Sequence, residues 1–268
     1  WSNLLNAPKG PYGGDGFFLP SQNLINAYKT DNYGLPLFDT FNNSDYGTYE
    51  GNELTNVEAT VDPRLDFVTG RPGITWKTYT VEPCKANWIR NSGEYGFNCT
   101  KRFYISPESE DMFQGWPWGA SHLNWQIIRY ADVLLWYAEA LNEWKQGPTD
   151  EAYKAINMVR RRGFGLPVET DNSASDLSGM SYTEFQQAVR NERAYELAFE
   201  GHRRQDLVRW GIYYESIRKT SQDLVDWYSG GYGYYVCVDY TKKNKNELLP
   251  IPQQEMDICT QFDQNPGW

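Results

Sequence analysis

Residues 123–163, LNWQIIRYADVLLWYAEALNEWKQGPTDEAYKAINMVRRRG, constrain this chain more than any other stretch. Tyr130, Leu134, Tyr137 or Ala138, and Leu141 recur at the spacing of one helix face, and Gly147-Pro148 stops the run. The pattern predicts a helix from about Asn124 to Gln146. After the start signal Pro148-Thr149, Ala152, Ile156 and Val159 mark a second helix, which ends at Arg160, Arg161 and Arg162 before Gly163. Cations in a last turn complement the helix dipole. So short a turn makes the two helices an antiparallel hairpin, and Ala138, Ala140, Ala152 and Ala155 let them approach closely. The period resembles a tetratricopeptide unit, although one unit does not make an array.

The rest of the chain divides in two. Residues 1–123 are rich in Gly, Pro, Asn, Asp and aromatics and show little helical periodicity, so a loop-rich segment is expected there. One exception is PSQNLINAYKT, where Ser21 can cap a short helix carrying Leu24, Ile25 and Tyr28 on one face. Short strands are expected at Ile74–Val81 and Lys101–Ile105. Residues 124–268 form a helical scaffold and tail, both parts belonging to one domain. Within this scaffold Ser181 and Glu184 stand in capping-box relation, which starts a third helix near Tyr182. Phe185, Val189, Leu197 and Phe199 carry that helix to Gly201, and a short helix ending at Trp210 and Gly211 follows. The tail is extended, and ELLPIPQQE reads as a strand stopping at Pro252. The fold class is mainly α, with long irregular loops and a few short strands.

Composition removes several functions. The 268 residues carry 35 acidic and 25 basic side chains, a net charge of −10 that disfavours phosphate-rich nucleic acid. Eleven Trp, 20 Tyr and 12 Phe exceed what the core of so hydrophilic a chain needs, so some rings meet a ligand at the surface. No run of 18 apolar residues and no leader pattern occurs, and the opening WSNLLNAPKG reads as part of a longer polypeptide or a mature fragment. Cys84, Cys99, Cys237 and Cys259 match no zinc spacing. Cys84 and Cys99 can close a loop in an oxidising compartment or remain free thiols.

NERAYELAFEGHRRQDLVRWG, residues 191–211, is dense in both charges. Glu192, Glu196 and Glu200 fall at i, i+4 and i+8, a stripe of like charges that needs facing cations. Arg193, Arg203, Arg204 and Arg209 lie nearby, with Arg129 and Arg160 on the hairpin, and Asp206 adds a further carboxylate. The planar fork of Arg suits a semi-buried network, so this stretch is read as scaffold. Catalytic readings find little support. Glu200-Gly201-His202 is one residue short of a di-metal Glu-x-x-His pair, and neither HExxH, G-x-S-x-G, a P-loop nor G-x-G-x-x-G occurs. His122 and His202 are the only histidines and read as packing or hydrogen-bonding residues. No metal, cofactor or catalytic residue is expected.

RYADVLLWYAEALNE, AYKAINMVRRRG, FQQAVRNERAYELAFEGHRRQDLVRWG, LLPIPQQEMD and the closing QNPGW together resemble the SusD/RagB family of outer-membrane glycan-binding lipoproteins. VDPRLDF resembles the family's Asp-Pro-Arg element, and FLPSQNLINAYKTDNYGLPL the segment that opens its C-terminal half. The resemblance implies a SusD-like C-terminal half with tetratricopeptide-like hairpins. It further implies a non-catalytic protein that binds a polysaccharide or oligosaccharide at the bacterial cell surface. In such proteins the glycan passes to a SusC-type TonB-dependent transporter, and a lipid anchor, here outside the segment, ties the protein to the outer membrane.

A sugar ring offers an apolar face and a rim of hydroxyls, so its site needs flat aromatic platforms beside polar groups on rigidly held loops. ITWKTYTVEPCKANWIRNSGEYGF and GWPWGASHLNW fit best. Trp76, Tyr79, Trp88, Tyr95, Trp116 and Trp118 are the candidate platform, amid Asn87, Arg90, Asn91, Asn98 and Gln114. Pro117 stiffens the spacing of its two neighbouring rings. NNSDYGTYEG, residues 42–51, could hold Ca²⁺ or be a solvated loop, since it lacks EF-hand spacing. A glycoside hydrolase using a carboxylate pair in the aromatic cleft, and a surface serving transporter assembly alone, are the competing readings.

Overall fold

The computed structural model describes residues 14, 16–20, 22–28, 49–50, 53–54, 61–70, 75, 99–102, 104–105, 109–113, 121–171, 174–219, 240–259 and 261–268. The fold is mostly helical. Two compact units make up the chain, Trp1–Gly201 and His202–Trp268.

In the first unit, α1 (Gln22–Ala27) is followed by the antiparallel pair β1 (Tyr49–Glu50) and β2 (Glu53–Leu54), then α2 (Arg64–Val68). Directly after α2, β3 (Thr69–Gly70) pairs antiparallel with β4 (Cys99–Thr100), in the register Thr69 to Thr100 and Gly70 to Cys99. The strand pairing thus falls just before the expected Lys101–Ile105. The Lys101 amide still donates to the Val68 carbonyl at 2.8 Å, just beyond the last ladder pair. Of the expected Ile74–Val81 strand, only Thr75 is among the described residues.

The helical core comprises α3 (Tyr130–Lys145), α4 (Asp150–Gly163) and α5 (Tyr182–Glu196). Helix α4 begins where the Thr149 side chain accepts from the Ala152 amide at 3.2 Å, and Asp150, Glu151 and Arg160–Arg162 place charges of the favourable sign at its two ends. At α5 the Ser181 hydroxyl accepts from the Glu184 amide and the Glu184 carboxylate accepts from the Ser181 amide, a complete capping box.

Two boundaries and one cap differ from the sequence reading. Helix α3 starts at Tyr130 rather than near Asn124, because Arg129 is extended (φ −135°, ψ 162°) and its side chain is committed to carboxylates of α5 and beyond. It ends at a left-handed Gln146 (φ 55°), not a glycine, and the amides of Gln146 and Gly147 both donate to the Asn142 carbonyl. Helix α5 stops at Glu196 instead of Gly201. Phe199 turns left-handed (φ 66°) and packs against a second core, which a continuing helix would not allow.

Ala131, Leu135 and Ala138 of α3 meet Ala152, Ala155, Ile156 and Val159 of α4, with Phe185 and Val189 of α5 and Leu177 closing the cluster. Ala138, Ala152 and Ala155 allow the close approach that the sequence suggested, whereas Ala140, expected beside them, is exposed and lies outside the cluster. The buried face of α3 is not the one expected: Tyr130 and Tyr137 are exposed, and Leu134 and Leu141 only border the core. A smaller core joins Ile25 and Tyr28 to Leu65, Val68, Tyr195 and Ala198, and the Tyr28 hydroxyl donates to the Tyr195 carbonyl at 2.7 Å.

The second unit contains α6 (Arg203–Arg209), helical turns over 213–219, and α7 (Gln253–Ile258). ELLPIPQQE is not a strand. Ile251 does make two ladder-like hydrogen bonds, but to the side-chain amide of Gln264, at 2.7 and 2.8 Å, while Asn265 Nδ2 donates to the Leu249 carbonyl. Side-chain amides from the closing residues substitute for a neighbouring backbone, and Pro252 then opens α7. Cys259 is a free thiol.

Candidate functional site

The six candidate platform residues, Trp76, Tyr79, Trp88, Tyr95, Trp116 and Trp118, lie outside the described residues, as does most of NNSDYGTYEG. Described in detail are the roots of the two segments that carry those rings. Residues 71–98 leave from β3 and return through β4. Buried Lys101 ties that root together, its Nζ donating to the Asp66 and Thr75 carbonyls at 2.8 Å each while its amide donates to the Val68 carbonyl. Residues 114–120 leave and return through an isolated antiparallel bridge, Met112 to Ser121, reinforced by the His122 amide on the Asp111 carbonyl at 2.8 Å. The Phe113 and His122 rings meet edge to face at 6.2 Å beside this neck, where Phe113 and Trp125 are both exposed.

Arginines before and after these roots reach the same glutamates. Arg64 stands at the start of α2, just ahead of the first root, and its fork grips Asp62 through Nε (2.9 Å) and Nη2 (2.6 Å). Its Nη1 donates to Glu192 at 2.6 Å and Glu196 at 3.0 Å. Arg102, just after β4, pairs with Glu200. Arg129, where the second segment meets α3, donates from Nη1 to Glu196 at 2.6 Å and from Nε to Glu200 at 2.8 Å, and caps the Glu196 carbonyl through Nη2 at 2.6 Å. Arg160 and Arg162 of α4 add bonds to Glu192 at 3.1 Å and Glu196 at 2.8 Å. Glu200 lies past the end of α5, so the third carboxylate joins the cluster through the bent backbone after the helix and not through helical periodicity.

Room for this cluster is made by the backbone. A Cβ on Gly163 would sit 2.7 Å from Arg64 Nε and 2.8 Å from its Cζ, so any larger residue at the end of α4 would require the guanidinium to shift from its partners. Burial disfavours the charge on Arg64, yet Glu192 and Asp62 outweigh it and hold the guanidinium well above its usual range. Burial likewise pushes the Glu196 carboxyl up, and Arg64, Arg129 and Arg162 overcome it, leaving a net shift below the usual carboxylate range. Burial also raises the Tyr28 and Tyr195 hydroxyls beside the cluster. All these shifts favour the forms already present at neutral pH.

Of the residues singled out for the network, Arg129, Glu192, Glu196 and Glu200 come together. Arg193 turns from the stripe to Asp132, at 2.7 Å and fully buried. In the second unit, Arg209 bonds Asp206 at 2.9 Å, Arg203 and Arg209 lie over the Trp210 ring, and Arg204 donates to the Asn246 carbonyl at 2.9 Å. Sequence reasoning did not assign Arg64, Arg102 or Arg162 to the stripe. Asp62-Pro63-Arg64 carried a usable signal, since the Asp62 carboxylate also accepts from the Arg64 amide at 3.0 Å, a local turn that Asp and Asn favour. Arg102 carried none.

Two grooves flank the cluster. One, of about 330 Å³, is lined among the described residues by Arg102, Gln126, Arg129, Tyr130, Leu134, Met158 and Arg162. The other, of about 270 Å³, is lined by Arg64, Phe67, Arg102, Arg162, Tyr195 and Glu196. Among the described residues no group of three or more His, Cys, Asp or Glu is placed to hold a metal ion, and no helix is long and apolar enough to cross a membrane.

Among the described residues, a helical scaffold built around a buried cluster of arginines and glutamates is the class of fold. The chain belongs to the SusD family, whose model matches residues 2–268. It is 37% identical over 133 residues to SusD-like protein P25 of Formosa agariphila, covering 49% of this chain and 22% of P25. Among solved structures, a SusD homolog from Bacteroides thetaiotaomicron matches at 40% identity with a TM-score of 0.59, over 77% of this chain and 41% of the homolog. A SusD superfamily protein from Bacteroides vulgatus shares the fold at 20% identity with a TM-score of 0.61, over 100% of this chain and 47% of its own. The matched stretch is therefore less than half the length of each relative.

Proposed function

We propose that this chain is the glycan-facing part of a cell-surface protein that binds a polysaccharide or oligosaccharide without cleaving it and hands it to a SusC-type TonB-dependent transporter in the outer membrane. Membership of the SusD family over residues 2–268 is the observation that carries this reading. The geometry supports it from a second side: Arg64 and Arg102, which bracket residues 71–98, and Arg129, which precedes α3, are bound to one cluster of glutamates, and a rigid base of that kind is how a scaffold presents binding loops. Two or three of Trp76, Tyr79, Trp88, Tyr95, Trp116 and Trp118 form the sugar platform, with nearby amides and Arg90 meeting the hydroxyls. A lipid anchor outside this segment holds the protein at the surface.

The test is affinity electrophoresis of the full-length protein in gels containing plant, host or microbial polysaccharides, with a reducing-end assay on the same samples. Retardation by one glycan class without new reducing ends is expected. Release of reducing ends would replace the reading with a hydrolase, and retention of transporter binding with no glycan binding across the panel would replace it with an assembly role.

A further inference from the structure

Arg102 and Arg162 line both grooves beside the ion cluster, so the two grooves meet at this pair. The cluster itself is unbalanced. Among the described residues, Arg64, Arg102, Arg129, Arg160 and Arg162 are joined by ion pairs to Asp62, Glu192, Glu196 and Glu200, five cations against four anions. The surplus falls at Arg162. Its side chain is 61% exposed, and its one ion pair among the described residues is to Glu196, a carboxylate that also accepts from Arg64 and Arg129. The groove of about 270 Å³ has fixed walls, since Arg64, Tyr195 and Glu196 are all buried. Phe67, which also lines it, is 75% exposed and leaves an aromatic face open to a ligand.

We propose that this groove takes an acidic sugar unit, one bearing a carboxylate or sulfate, whose anion pairs with Arg162 and whose apolar ring face lies on Phe67. The inference rests on the glycan-binding reading and narrows it to anionic polysaccharides. The volume lies near the small end of ligand sites, about 300 Å³, which suits a single ring. Charge decides between sugars. A neutral unit would strip water from Arg162 and return no charge, whereas an anion replaces that water with a charge-assisted, bidentate pair. Glu196 also lines the groove, but three guanidiniums already hold its charge. The net charge of −10 does not forbid the contact. Charges more than about 8 Å away are screened at physiological salt, while the pair forms at hydrogen-bond range.

The test is isothermal titration of the full-length protein with polygalacturonate, carrageenan and a neutral glucan, at low and high salt, repeated on Arg162→Gln and Phe67→Ala. Both side chains are mostly exposed, so neither change removes a core contact. At least one acidic polymer is expected to bind, about 10-fold more weakly in Arg162→Gln, with that loss shrinking as salt rises. Phe67→Ala is expected to weaken the same polymer. A preference for polygalacturonate would identify the anion as carboxylate, and one for carrageenan as sulfate. Binding of the neutral glucan alone would overturn the inference and leave the glycan reading standing. Acidic binding that either variant leaves unchanged would do the same. If no polysaccharide bound, both would fall.

Discussion

Arg64 shows how one side chain can decide local structure. It is 7% exposed and shared among Asp62, Glu192 and Glu196, so removing a partner strands a buried charge. Arg64→Ala or Glu192→Ala should each destabilise the fold by ~3–5 kcal/mol, read from chemical denaturation midpoints. Gly163→Ala should cost ~1–3 kcal/mol through the overlap with Arg64, despite alanine's better helix propensity. A gain in stability would show that the guanidinium has room to shift. The cluster also sets a pH limit. Because the folded Glu196 carboxyl lies below its unfolded value of 4.5, its contribution is complete above that value and is lost as pH falls through the lower folded one. Thermal melts of the wild type should therefore decline on acidification from about pH 5, and Glu196→Gln should flatten that decline.

Among the elements, α5 works both as a core helix and as an anchor. Its N-terminus was plain in the sequence: Ser181→Ala should remove about 1 kcal/mol by opening the capping box. Its C-terminal side has a different role, since Glu200 holds Arg102 at one segment root and Arg129 at the other. Glu200→Gln keeps the shape and weakens both ion pairs. Glycan affinity of the full-length protein is expected to fall roughly tenfold through lost pre-organisation, an effect read by titration on protein whose circular dichroism is unchanged. Unchanged affinity would separate the root from the binding surface. The starts of α4 and α5 were legible because capping depends on neighbours a few residues away. The start of α3 was not, because Arg129 is kept extended by carboxylates 67 and 71 residues further along.

For the whole molecule, the proposed platform makes a direct prediction. Alanine at a ring that stacks on sugar should cost ~2 kcal/mol, about 30-fold in affinity, with Trp116 and Trp118 the first pair to measure by isothermal titration. If none of the six variants changed affinity, the platform would have to lie elsewhere in the polypeptide.

The sequence by itself determined the helical hairpin, the capped third helix, the mainly α class and the family, because periodicity, caps and motif order are written in neighbouring residues. Only the tertiary structure decided which face of α3 enters the core, since that helix is apolar on both sides and periodicity favours neither. It also decided that LLPIP is held by side-chain amides instead of a strand. Above all, it brought Arg64, Arg102 and Arg162 to the glutamates. Those partners are up to 132 residues apart, and pairing across such distances depends on how the helices pack, which no local pattern encodes.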